Sequence, residues 1–183
     1  MPVIFKRFGW MAGGLAAVAL SACAPSFNLP FSNVAKGAQL PIIDVLQANS
    51  GQYACTLYDA SSDTCQSVFT FAVGSGGVTS REYGAIRSGG GTVPIEVVSQ
   101  AWIEGNQTCV RAENVSVSGP SPTVAKVETR LKGLINSYGG VCTTLYEGTD
   151  GFVMETRGRN GEIFPPGNVP VRFFPVQKSV RSG

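Results

Sequence analysis

The sequence predicts an α+β fold: a small single domain of mostly antiparallel strands with one or two helices. Three observations lead to it. Residues 121–139 carry one apolar stripe at helical spacing, with charged residues around the rest of the turn. Short runs rich in Val, Thr, Tyr and Phe, bounded by turn residues, recur on both sides of that segment. The chain has 183 residues, 43% of them hydrophobic, which is one domain's worth of chain with enough apolar material for a core. Its 23 Gly and 11 Pro imply many turns without reaching the composition of a low-complexity chain.

At the N-terminus, Lys6 and Arg7 precede Phe8 to Leu20, an uncharged and mostly apolar stretch of 13 residues. A membrane-spanning helix needs about 20 apolar residues, so this stretch fits the core of a cleaved export signal instead. It runs into Leu20-Ser21-Ala22-Cys23. That tetrapeptide resembles the lipobox of bacterial lipoprotein precursors. The resemblance covers residues 1–23 and implies that residues 1–22 are a signal peptide and that Cys23 becomes the acylated first residue. Each buried CH₂ contributes about 0.8 kcal/mol, so two or three acyl chains make a durable membrane anchor. Ala24, rather than Asp, follows the Cys. In many lipoproteins of this type that implies the outer membrane, here with the domain facing the periplasm. Loss of Lys6 and Arg7 leaves 12 basic and 12 acidic residues. No basic surplus remains to suggest nucleic acid.

Residues 23–40 read as the lipidated Cys and a flexible tether, with scattered Pro, Ser, Asn and Gly and no period. The globular domain is expected at 41–178, followed by a tail at 179–183. Pro41 to Ala48 predicts a short helix with Ile42, Ile43 and Leu46 on one face and Gly51 at its stop. Tyr53–Tyr58 and Gln66–Val73 predict a hairpin around Asp59-Ala60-Ser61-Ser62-Asp63. Gly74 to Gly91 is rich in glycine and reads as a long loop. Val93–Trp102 and Thr108–Val117 follow as strands. Ser121 to Gly139 is the principal helix: Ser121 can cap it and Pro122 suits its first position. Val124, Val127, Leu131, Leu134, Ile135 and Tyr138 make its stripe, and Glu128 pairs with Lys132. Val141–Tyr146, Phe152–Arg157 and Val169–Phe174 complete the strands.

With Cys23 used for lipid, Cys55, Cys65, Cys109 and Cys142 remain. An even number in an exported chain implies disulfides. A hairpin centred on Ala60 places Cys55 opposite Cys65, which leaves Cys109 for Cys142. The second bridge closes a loop of about 33 residues, worth roughly 3–4 kcal/mol in the chain-entropy model. Asn49-Ser50 followed by Cys55-Thr56-Leu57-Tyr58 is echoed by Asn136-Ser137 followed by Cys142-Thr143-Thr144-Leu145-Tyr146. Gly91-Thr92-Val93-Pro94-Ile95 is echoed by Gly167-Asn168-Val169-Pro170-Val171. The echoes predict two copies of a helix–hairpin–strand unit.

Without His, the chain has no Ser-His-Asp or Cys-His nucleophile and no His-ligated zinc. Asp59 with Asp63, and Glu147 with Asp150, lie in predicted turns, where carboxylates usually cap backbone. The calcium-loop and phosphate-loop patterns are incomplete. No metal, cofactor or catalytic residue is assigned. Arg157, Arg159 and Arg172, close in sequence to Phe164, Phe173 and Phe174, are a candidate partner-binding surface, since Arg beside aromatic area is common in binding hot spots. The plainer reading is solvated arginines around a turn. Together these features point to a non-enzymatic outer-membrane lipoprotein that binds an envelope protein, lipopolysaccharide or peptidoglycan, or serves in envelope assembly. The alternative is a small cell-wall-acting enzyme working through Asp or Glu.

Overall fold

The computed structural model describes residues 32–88, 91–120 and 122–181. The expected signal peptide, Cys23, the first part of the expected tether, Ser121 and the last two residues of the tail lie outside the described residues. In chain order the elements are β1 (Ser32–Asn33), β2 (Gln39–Leu40), α1 (Ile42–Ala48), β3 (Tyr53–Thr56), β4 (Thr64–Cys65), β5 (Ser67–Gly74) and β6 (Gly77–Ser88). There follow β7 (Gly91–Glu104), β8 (Gln107–Val110), a 3-10 turn (Ala112–Asn114), β9 (Val115–Ser118) and α2 (Thr123–Ser137). The chain ends in β10 (Val141–Gly148), β11 (Gly151–Gly158), β12 (Ile163–Phe174) and β13 (Ser179–Val180).

These strands close into an eight-stranded antiparallel β-barrel, which corrects the α+β expectation. The order around the barrel is β3, β5, β6, β7, β8, β10, β11, β12, so each barrel strand pairs with the next barrel strand along the chain, with β4 and β9 outside that order. The seam forms where β12 returns to β3, from Val171 opposite Thr56 to Phe174 opposite Tyr53. Closure pairs both edges that an open sheet would leave free. Local patterns had indicated antiparallel strands correctly. The seam joins residues more than a hundred positions apart, and no local pattern carries that information.

The helices are not a layer against a sheet; they cover the two ends of the barrel. α1 places Ile42 and Leu46 over Val78, Leu145, Phe71 and Met154 at one end. α2 places Val124, Val127 and Ile135 over Ile86, Ile95 and Val141 at the other. Leu134, expected in the α2 stripe, is exposed. Glu128 and Lys132 pair as expected.

The segment Gly74–Gly91 is also corrected: most of it is β6, paired along its length with β5 and β7. Its glycines obscured a period of two, in which Val78, Ser80, Glu82 and Ile86 share the inner face. Gly77 does belong to a turn. Its φ is +126°, and a Cβ there would lie 2.1 Å from the Ala101 carbonyl oxygen. The expected strand Thr108–Val117 is broken by the 3-10 turn, and β9 pairs back onto β7.

The two-copy arrangement is not present. In a meander successive strands alternate in direction, so the matched β3 and β10 run oppositely while the matched β7 and β12 run the same way. No single rotation superimposes both matches.

Outside the barrel, the chain before α1 lies along the wall. β1 pairs with β12, β2 pairs with β10, and the Gly37 N–H donates to the Glu147 carbonyl at 2.9 Å. This segment brings Lys36 within 2.6 Å of the buried Glu155, which also accepts from Arg157 at 2.8 Å. Burial opposes the charge on Glu155, but the hydrogen bonds from Arg157 and Lys36 hold its carboxyl below the usual range. At the other end of the chain, Ser179–Val180 of the expected tail pairs with β4.

Candidate functional site

Eight strands enclose an interior wide enough for side chains or for one small ligand. Here the side chains do not fill it. A cavity of about 220 Å³ lies inside the barrel. Its α1 end is apolar, walled by Ile42, Leu46, Val78 and Leu145, and Val110 borders it toward α2. Between them runs a belt of small polar side chains: Ser80 and Ser99 on β6 and β7, Thr108 on β8, Thr143 on β10 and Thr156 on β11.

Register explains the belt. Ser80 is opposite Ser99, Thr143 is opposite both Thr108 and Thr156, and all point inward. The Ser80 and Ser99 hydroxyls share a hydrogen bond of 2.7 Å, and those of Thr143 and Thr156 one of 3.0 Å. Two pairs of inward hydroxyls therefore bond across neighbouring strands.

Glu82 is the one ionisable residue on the cavity wall among the described residues. Its side chain lines the cavity and keeps a substantial accessible surface. Burial pushes its carboxyl above the usual range, and a hydrogen bond with the Ser67 hydroxyl pulls the other way. Ser67 is itself buried, with its hydroxyl 2.8 Å from that of Thr56. A chain of hydroxyls thus reaches from β3 through β5 to the acid on β6. Phe69 lies directly opposite Glu82 on β5, and Phe173 reaches the same cavity from β12. The arrangement can hold a small amphipathic molecule: an apolar body in the chamber, a polar group on the belt or the acid.

Sequence reasoning missed this site because Glu82 sat in a segment read as loop. The available signal was the alternation Val78, Ser80, Glu82, Gly84, Ile86, in which polar residues occupy positions that elsewhere in the strand are apolar.

The cysteines pair as expected. Cys55 bridges to Cys65 and Cys109 to Cys142. Cys23 lies outside the described residues. The three arginines are on the outer wall, each beside an acid: Arg157 with Glu155 at 2.8 Å, Arg159 with Glu104 at 2.7 Å and Arg172 with Asp150 at 3.1 Å. Arg157 and Arg159 lie at the end of β11, whereas Arg172 packs against Gly151 at its start. Six residues of strand separate the two positions, about 20 Å at the usual rise. Arg159 also sits over the Trp102 ring, 5.8 Å from its centroid, and Arg172 over Tyr58 at 5.5 Å. The chain matches no known family model, no curated protein and no solved structure, so its functional reading rests on its own residues.

Proposed function

We propose that this chain is a lipid-anchored, non-enzymatic binding module of the bacterial envelope that holds a small molecule inside its barrel, on the periplasmic side of the outer membrane. The cavity carries this reading: side chains leave about 220 Å³ unfilled between two helical covers, and the wall bears one acid, Glu82. Protein interiors are otherwise close-packed, and an unfilled concave space lined by apolar side chains with a few convergent polar groups is the usual form of a ligand site, here one sized for a small molecule.

The anchor rests on the Leu20-Ser21-Ala22-Cys23 motif. The wall of the barrel is consistent with a domain standing off the bilayer. Arg81, Glu96, Arg157 and Arg172 lie on the outer wall, where a membrane-spanning barrel carries an apolar band. From Cys23 to Ser32 is nine residues, so the barrel stays within about 30 Å of its lipid even if that stretch is fully extended.

Two measurements test the proposal. A Cys23→Ser variant is expected to leave the membrane fraction, and firm retention would remove the anchor. Native mass spectrometry of the chain purified from its envelope is expected to show a retained small molecule. That mass should be lost in an Ala101→Leu variant, whose larger side chain fills the lumen. Equal retention by that variant would place the molecule elsewhere.

A further inference from the structure

We infer that the lumen is a site for a small organic cation, an ammonium carried on a compact apolar or aromatic body, with Glu82 as its counter-charge; this rests on the reading of the lumen as a ligand site. Glu82 has one neutral hydrogen-bond donor at hand, Ser67, and no Lys or Arg lines the cavity among the described residues. A carboxylate facing a chamber whose wall is largely apolar and carries no cation is best matched by a positively charged guest. The belt hydroxyls are neutral and pair among themselves, Ser80 with Ser99 and Thr143 with Thr156, so none of them brings a positive charge. The carboxyl lines the chamber, and the charged partner that its wall lacks is a cation.

The neighbours of Glu82 suit the same guest. Phe69 faces it across the β5–β6 pair, and Phe173 stands three strands away, beyond Phe69 and Ala54. Both rings line the cavity. Aromatic faces within about 6 Å attract ammonium groups and gain strength where water is excluded. Size sets the upper bound. A dry cavity of about 150 Å³ accepts benzene, so about 220 Å³ accommodates a single ring bearing a short aminoalkyl arm. Burial raises the proton affinity of the Glu82 carboxyl, and a bound ammonium would reverse that effect.

The test uses three probes of one size on the full chain held in lipid nanodiscs: benzylammonium, benzyl alcohol and benzoate, titrated by calorimetry at pH 7. Benzylammonium is expected to bind at least tenfold more tightly than benzyl alcohol, and benzoate not measurably. In Glu82→Gln the tenfold preference should disappear, with the affinity for benzyl alcohol changing less than about twofold. Filling the lumen with Ala101→Leu should weaken both ligands at least tenfold. Equal binding of the amine and the alcohol to the wild-type chain would overturn the cation assignment and leave the lumen as a neutral site. Binding of neither would overturn the lumen as a ligand site as well. Because the first comparison needs no variant, a Glu82→Gln chain that failed to fold would still leave the inference decided.

Discussion

Glu82 makes the stability of this protein depend on pH. Burial raises its carboxyl pKa in the folded chain, with the Ser67 hydrogen bond opposing. The folded state therefore binds this proton more tightly than the unfolded state does. The stabilisation from protonated Glu82 is complete below the ordinary glutamate range and is lost as pH rises through the raised folded value. Glu82→Gln removes the charge and keeps the shape. The variant is expected to exceed the wild type in stability at pH 7.5, with the gain shrinking toward pH 4.5, as measured by urea unfolding at the two values. An equal difference at both would show that the carboxyl is not desolvated. Glu155 has the opposite sign, because Arg157 and Lys36 hold its charged form. Both acids lie on strands with period-two patterns, yet the sequence does not separate them. One faces inward with a hydroxyl and the other outward with two cations, and only strand register assigns each to its face.

Among the elements, the disulfides were the most legible. A short hairpin fixes Cys55 against Cys65 by local geometry, and the remaining pair follows by subtraction. Cys109 and Cys142 lie opposite each other on neighbouring β8 and β10, with the excursion that carries α2 between them. Their bridge pins the base of the helix that covers one end of the barrel. Replacing both by Ala is expected to cost about 2–5 kcal/mol in chemical denaturation, with faster hydrogen exchange concentrated in α2. A loss spread evenly over the barrel would show that the bridge does not hold the cover. β6 was the least legible element, because glycine at both ends of a strand gives the same composition as a loop. What makes it a strand is pairing on both sides, with β5 and β7, which lies outside its own sequence.

For the whole molecule, the seam between β3 and β12 is the decisive contact. Two independent helix–hairpin–strand units would tolerate loss of the last strand, each keeping its own core. A closed barrel would not, since removing β12 exposes the edges of β3 and β11 and opens the apolar interior to solvent. A chain ending after Asn160 is therefore expected to aggregate or remain unfolded, detected by light scattering and the loss of a cooperative melt. A soluble, cooperatively melting fragment would show that the seam is dispensable.

What the sequence determined by itself is chemistry set by neighbours along the chain. The absence of His removes imidazole chemistry, and the turn around Ala60 brings Cys55 to Cys65. The helices were equally legible, because the residues facing one way along a helix are three or four apart. The tertiary structure alone decided that the strands close, that the helices cover the two ends, and that Glu82, Phe69 and Phe173 line one unfilled space. Those contacts join residues far apart in the chain, through strand pairings that many alternative registers would satisfy locally. The selection comes from closure: one register buries the apolar faces, pairs both edges and matches the inward hydroxyls together.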